Sequence, residues 1–462
     1  MATNPKAGFS SRLVRIGGLR VDADDGIATA VQSNSEADVV DPALKKRNGR
    51  IMAVVFLTLF LDLLGFGIIL PVQPFYAESF GATATVVTLI GACYSLMQFI
   101  FAPFWGRLSD RIGRRPVILT SVFFGGIGWL ILGFANGLWM FVLARAIAGF
   151  GNANLGTVQA VVADITTGKD RARGMGIVGA AFGLGFLFGP IIGGIFGAAY
   201  GAHVPALIAA GLAGVNWIAA FFLLPESRVV GTAVDAVSTD GHGPRRSIFP
   251  VQAMREALKL PSVAPLLLMN LVFGVGFSLM EAALSLFIER QFVPSETFGT
   301  DEGHKMAARL AMYTLVSVGI TAVIVQGGLI RPLRKRFDER ALLVLGSLLI
   351  AFGFAGTATL GIMPPGTTTV GMLIALNVFV AAGSGVFSPS ASALLSRSAS
   401  ADQQGAVLGV GQSVASLARV IGPSMAGFLL DQHRSLPFAL GAVLLVVAAL
   451  LTTRVRGTSP AV

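Results

Sequence analysis

Residues 106–116 read GRLSDRIGRRP and lie between two apolar runs, 86–105 and 117–134. Each run is roughly 20 residues, long enough to cross a bilayer. Four arginines and one aspartate in between cannot lie in hydrocarbon, so the segment is expected to form a tight turn at a membrane surface. Basic residues stay on the cytoplasmic side. The turn therefore orients its two helices and, by alternation, every other one. Topology alone would be satisfied by Lys and Arg in any order. It does not require Gly106, Asp110, Arg111, Gly113 and Arg114 in this pattern.

The rest of the chain has the same character. Charged residues make up 13% of it, against about 25% in soluble proteins. Twelve apolar spans are expected, at about 51–76, 86–105, 117–134, 138–163, 174–199, 204–224, 263–289, 307–330, 341–361, 367–395, 405–430 and 436–453. Of the 34 Lys and Arg, 28 fall on the side of the basic turn and four on the other. That asymmetry places both termini in the cytoplasm. It also explains the net charge of +10 as a membrane-orientation effect, with no nucleic acid implied. The 57 glycines suit close helix packing in lipid. A single cysteine, Cys93, excludes an internal disulfide, and no Cys/His cluster suggests a structural zinc site. The expectation is no metal and no cofactor.

Residues 1–50 are polar and aperiodic, and read as a disordered cytoplasmic tail without the early apolar core of a cleaved signal peptide. Residues 51–225 form one six-helix bundle and 263–455 a second. A polar connector, 226–262, joins them, with a possible short surface helix at 246–260, and 456–462 is a cytoplasmic tail. The fold class is an all-α integral membrane protein in two pseudo-symmetric halves.

Charges inside the spans point to the chemistry. Asp62 lies within LDLLGFGIILPVQP, where a lone carboxylate costs several kcal/mol or takes a proton. It reads either as a proton or cation carrier or as the partner of a buried arginine. Pro71 and Pro74 should break that helix near the outer surface. In span 4, Arg145, Gly149, Asn152, Gly156 and Gln159 recur at spacings of four, three, four and three, one face of a helix. Arg145 needs a carboxylate or water, and Asp62 is the candidate by type. Alternatively, the stripe is a packing face with one structural ion pair. Asp164 closes span 4 where it can pair with Arg111 or Arg114. Glu281 shares a small, polar face with Gly274, Ser278 and Ser285, and is either a second proton site or an interhelical hydrogen-bonding group. Gln326, Asn377, Gln412 and Arg419 are further cavity candidates, although for the lone amides helix-to-helix hydrogen bonding is the favoured reading. Span 5, GAAFGLGFLFGPIIGG, sets Gly185, Gly189, Pro190, Gly193 and Gly194 in a groove for close helix contact. ARVIGPSMAGF in span 11 echoes it, and GGLIRPLRKRFDER after span 8 echoes the basic turn. Parallel repeats of this kind place a substrate site between the halves.

Together, LDLLGFGIILPVQP, GRLSDRIGRRPVIL, VVADITTGKDRARG with GPIIGG, and LLSRSASADQQGAVLG leading to IGP resemble the drug:proton antiporters of the major facilitator superfamily, within it the tetracycline/proton antiporter branch. The resemblance runs over roughly 50–455. It implies a charge network at the basic turn, built on Asp110, Arg111 and Arg114 with Gly106 and Gly113 allowing close approach, that is remade as the halves rock. It also implies proton coupling at Arg145 and an extracellular seal at the span 5 motif. Transporters of that branch carry an acid in helix 9. Span 9 here has none, which makes Glu281 the acid of the second half.

The expected function is export of an amphipathic small molecule in exchange for protons, by a monomer in the inner membrane. Asp62 and Glu281 would bind protons, and Arg145 would hold the charge of Asp62 in one state. The alternatives are a proton symporter importing a nutrient, a membrane enzyme, or a transport-inactive sensor. No catalytic grouping supports the enzyme: the histidines at 203, 242, 304 and 433 lie in loops or at span ends.

Overall fold

A computed structural model of the chain describes residues 13–16, 19–22, 42–153, 155–166, 168–227, 263–398 and 404–454. The connector helix expected at 246–260, the rest of the connector beyond 227 and the tail after 454 lie outside the described residues. The chain divides into two compact units, 1–51 and 52–462. In the first, β1 (Leu13–Ile16) pairs antiparallel with β2 (Leu19–Asp22), Val14 opposite Val21. A segment expected to lack regular structure thus carries a hairpin.

The remainder is helical: α1 (Pro42–Ile69), α2 (Gln73–Glu78), α3 (Ala84–Ile112), α4 (Arg114–Gly133), α5 (Leu138–Gly151), α6 (Leu155–Ile165), α7 (Gly168–Tyr200), α8 (Val204–Leu223), α9 (Val263–Phe292), α10 (Asp301–Ile324), a π-helical turn (Val325–Leu329), α11 (Ile330–Arg336), α12 (Glu339–Leu360), α13 (Thr367–Arg397), α14 (Gln404–Gln432) and α15 (Leu436–Arg454). Among the described residues, twelve helical segments are long and apolar enough to cross a membrane, as expected. In hydrocarbon every backbone polar group must be satisfied within the segment, which selects helices for these runs. At the water-facing ends, side chains take over. Thr83, Thr300 and Asp338 accept from the backbone N–H groups of Val86, Gly303 and Ala341 at 3.4, 3.2 and 2.9 Å. The first span ends at Ile69, two residues before Pro71, and Pro74 opens α2.

Three spans depart from the expected outline. The fourth is interrupted at Asn152 and Ala153, between α5 and α6, so the polar stripe from Arg145 to Gln159 does not run along one continuous helix. The eighth passes through the π turn at Val325–Leu329 and continues to Arg336, so the second basic segment is helical up to that residue. Most of the first basic segment is helix too. Residues up to Ile112 belong to α3 and those from Arg114 to α4. The whole reversal rests on Gly113 at φ +100°, a region that side chains rarely occupy.

The two halves repeat each other in packing. In the first, α7 lies against α1 by backbone contact. A Cβ on Gly189 would sit 2.6 Å from the Cα of Gly67, and one on Gly193 would meet the Ile68 carbonyl oxygen. In the second, α14 lies against α9 in the corresponding way. Gly422 packs on Ser278, whose Oγ donates to the Ala418 carbonyl at 3.0 Å. Across the halves, α7 meets α10 and α14 meets α3. Both contacts use the small-residue faces the sequence marks. Met312 of α10 covers Gly194, and Thr85 and Thr88 of α3 cover Gly427.

Candidate functional site

Four charged groups, two from each half, lie within the membrane spans: Asp62, Arg145, Glu281 and Arg419. Asp62 projects from α1, and the Nδ2 of Asn216 in α8 donates to its Oδ1 at 3.1 Å and to the Thr58 carbonyl at 3.2 Å. Asn216 is fully buried. The partner of Asp62 here is therefore a neutral amide. Arg145 is 2% exposed and forms no ion pair with Asp62. Its guanidinium lies over the Trp129 ring at 4.9 Å and the Tyr94 ring at 5.9 Å. The physical reason is room. The indole of Trp129 packs against Gly65, three residues on from Asp62, and its face supplies the negative potential that a carboxylate was expected to supply. Two nitrogens of Arg145, Nε and Nη2, have no acceptor.

Tyr94 ties these groups together and was missed from sequence. Its hydroxyl receives a hydrogen bond from Gln98 Nε2 at 3.1 Å, and the same nitrogen donates to the Asn152 carbonyl at 3.1 Å. The side chain of Asn152 is also within reach of the hydroxyl, and Tyr94 lies in the fields of Arg145, Asp62 and Arg419. The signal was present: in CYSLMQF, Tyr94 and Gln98 stand four apart on one face of an otherwise apolar span.

In the second half, Glu281 is surrounded by protein yet keeps accessible surface, so it faces an internal space. The charge acting on it is Arg419 of α14, itself exposed and bonded only weakly to Ser416 Oγ at 3.5 Å. Gln326 and Gln412 are exposed and Gln159 half-buried. Among the described residues none of these amides is hydrogen-bonded to the charges. Asn377 is buried and donates to the Leu373 carbonyl of its own helix at 3.0 Å, not to a neighbouring helix.

At the basic end, the buried Arg114 is the centre of a network that reaches two exposed carboxylates. It reaches Asp110 Oδ1 at 2.8 Å, Asp164 Oδ2 at 3.2 Å and Ser109 Oγ at 2.6 Å. Asp164 thus takes Arg114 and not Arg111, which is exposed. A further acid completes the group. Glu226, just after α8, accepts from the backbone N–H groups of Arg114 and Arg115 at 2.8 and 3.1 Å and caps α4. Its carboxylate occupies the space where a Cβ at position 113 would stand. Gly106, by contrast, faces open space, with nothing within 4 Å of a built Cβ, so no close approach explains it here. The second half carries the equivalent bridge with its charges exchanged: Glu339, at the start of α12, pairs with Arg397, at the end of α13, at 3.0 Å.

The family profile for the Major Facilitator Superfamily matches residues 55–366 and 310–462. The chain belongs to this superfamily. It is 30% identical over 380 residues to the Tetracycline resistance protein, class C, of Escherichia coli, covering 82% of this chain and 89% of that protein. It is 27% identical over 405 residues to Multidrug resistance protein 2 of Bacillus subtilis (strain 168), covering 87% and 94%. Among solved structures, the human organic anion transporter MFSD10 superposes with a TM-score of 0.65 at 25% identity, covering 88% of this chain and 99% of that one. A major facilitator of this kind is a multi-pass membrane transporter of small molecules and not an enzyme.

One further cluster lies at the end of this major facilitator opposite the basic turn. Glu78 of α2, Glu289 of α9 and His304 of α10 bring carboxylate and imidazole atoms within 4.8 Å of one another. Burial, and then the neighbouring Glu289 carboxylate, push the Glu78 carboxyl up to about 9, against a partial pull from Arg290. The sequence expectation of no metal-ligating group rested on the lack of a local Cys/His cluster. Glu78, Glu289 and His304 lie far apart in the chain, so no local spacing marks them.

Glu226→Ala should be felt at the basic turn. It removes both acceptors of the α4 cap, with an expected loss of about 1–2 kcal/mol of stability. Glu226→Gln, which keeps an acceptor oxygen, should lose less. Thermal unfolding of the purified variants in detergent measures the difference.

Proposed function

We propose that this transporter exports an amphipathic, cationic or zwitterionic compound from the cytoplasm in exchange for protons, by alternating access. The observation that carries the reading is the separation of Asp62 from Arg145. An acid in a membrane span that is held only by a neutral amide can take up and release a proton. A buried arginine with unfilled donors is ready to receive a carboxylate when the halves move. Tyr94 and Gln98 bridge the two sites, and Glu281 with Arg419 forms the corresponding acid and base of the second half. The seam of α7 on α1 makes one rigid unit of those helices, so motion falls on the contacts between halves. The tetracycline and multidrug resistance relatives support efflux as the direction. The membrane is the cell's inner membrane, with both termini cytoplasmic.

A second substrate reading has its own observation. Arg145 and Arg419, one from each half, both act on Tyr94, and two nitrogens of Arg145 have no acceptor. Two cations beside one tyrosine suit an organic anion, the class named for the human relative.

The test is proton release from energised inverted vesicles containing a pH dye. The panel would include tetracyclines, cationic dyes and organic anions. Collapse of the gradient by a compound identifies antiport and its substrate together. No response to any of them, with alkalinisation of the medium of right-side-out vesicles by a sugar or other metabolite, would make the protein an importer.

A further inference from the structure

The cluster at the far end joins the two halves. Glu78 comes from the short helix α2 in the first half. Glu289 and His304 come from α9 and α10 in the second. It has no role in the proton and substrate chemistry assigned to the interior.

Its electrostatics are incomplete. The Glu289 side chain is 1% exposed, and neither carboxylate oxygen receives a hydrogen-bond donor. A second carboxylate, Glu78, faces it. Two carboxyl groups facing each other in such a place must either share a proton or hold a cation between them. The nearby arginine does not serve, because Arg290 is committed to Asp431 Oδ1 at 2.9 Å and the Leu430 carbonyl at 2.7 Å. His304 Nε2 lies 3.3 Å from Glu289 Oε1 but makes no hydrogen bond to it. Its ring is held in place by stacking on Phe75, with centroids 6.0 Å apart. With Nε2 unprotonated, the imidazole would add its lone pair to those of the two carboxyl groups, three ligand atoms within 4.8 Å of one another.

We propose that Glu78, Glu289 and His304 bind a divalent transition cation of the Zn2+ class, and that the bound ion pins the two halves together at this end of the transporter. Two oxygens and one imidazole nitrogen, with a fourth position for water, suit zinc better than the oxygen-only preferences of calcium or magnesium. Zinc bonds of about 2.0–2.2 Å require the three ligand atoms to draw closer than their present spacing. Glu78, on a six-residue helix bounded by loops, is the ligand placed to move. Neighbouring contacts already join the halves here: the backbone N–H and Oγ of Thr85 donate to Asp431 at 3.1 and 2.7 Å. A metal bridge would add a bond that must break before this end opens. The ion would act as an inhibitor of the cycle, a consequence that rests on the alternating-access reading.

Binding is tested without transport. Full-length protein in lipid nanodiscs, washed with chelator, is titrated with Zn2+ by equilibrium dialysis. One ion per chain is expected. Glu78→Gln and His304→Gln should each weaken binding at least about ten-fold. Glu302→Gln, an exposed acid on the same helix as His304, should bind as wild type. In a cysteine-free background, spin labels at Ser79 and Glu296 should report a shorter, narrower distance distribution on adding Zn2+, absent in His304→Gln. The proposal is overturned if no stoichiometric ion binds, if both variants bind as wild type, or if the label distance responds to pH but not to Zn2+, which would mean that the carboxylates share a proton instead. None of these readouts depends on substrate or proton transport, so failure of the efflux reading would leave them standing.

Discussion

Asp62→Asn is expected to abolish proton-driven export while leaving the protein in the membrane at wild-type abundance. Asparagine has nearly the shape of the acid and still offers an oxygen to the Asn216 amide that now donates to Asp62 at 3.1 Å. It also removes a carboxylate from a membrane span, where an ionised acid costs about 2.5–3.5 kcal/mol. Folding should therefore not suffer. The variant cannot carry a proton at this site. A membrane potential of 100 mV supplies about 2.3 kcal/mol for each charge moved, close to a fifty-fold concentration ratio. That driving force is lost when no proton crosses with substrate. Energy-independent exchange of labelled substrate should survive, because the cavity is unchanged. Drug-induced proton release is the decisive measurement, and wild-type release by Asp62→Asn would sink the coupling role.

The pairing of Asp62 shows where reading a sequence stops. That a carboxylate and an arginine lie within apolar spans is legible, since hydropathy places both. Which group each one faces depends on helix rotation and on bulk from a third helix. Trp129 filled the space beside Arg145, and Asn216, an unremarkable amide in span 6, became the acid's partner. The basic turn was legible as a charge network around Arg114 and Asp164. Its geometry was not, because a reversal made by Gly113 alone needs Glu226, more than a hundred residues on, to satisfy it. The internal echo was legible as IGPSMAG and proved to be a packing equivalence, Gly422 against Ser278. The exchange of charges between Arg114–Asp164 and Arg397–Glu339 was not read, since matching like with like hides a swapped pair. The Glu78, Glu289 and His304 group had no local pattern to find.

Gly193→Ala is expected to be among the most damaging single-methyl additions in the chain. The new Cβ would collide with the carbonyl oxygen of Ile68, and at Gly189 the neighbouring groove is closed by the Cα and carbonyl carbon of Gly67, each 2.6 Å from a built Cβ. Both obstacles are backbone. A flexible side chain could turn away, but here α1 and α7 must separate along their length. Overpacking of an ordinary core costs about 1–3 kcal/mol. A helix seam with no side chain to yield should lie at or above the top of that range, seen as a lower unfolding temperature in detergent and loss of transport. Gly106→Ala is the matched control. Nothing stands within 4 Å of a Cβ there, and replacing glycine inside α3 should gain up to about 1 kcal/mol of helix propensity. If both variants lose stability equally, close packing does not explain the span 5 glycines. If Gly106→Ala keeps its stability but loses transport, the glycine serves a conformation other than this one. Stability and transport measured on the same pair thereby separate the glycine that builds the fold from the glycine that works in the switch.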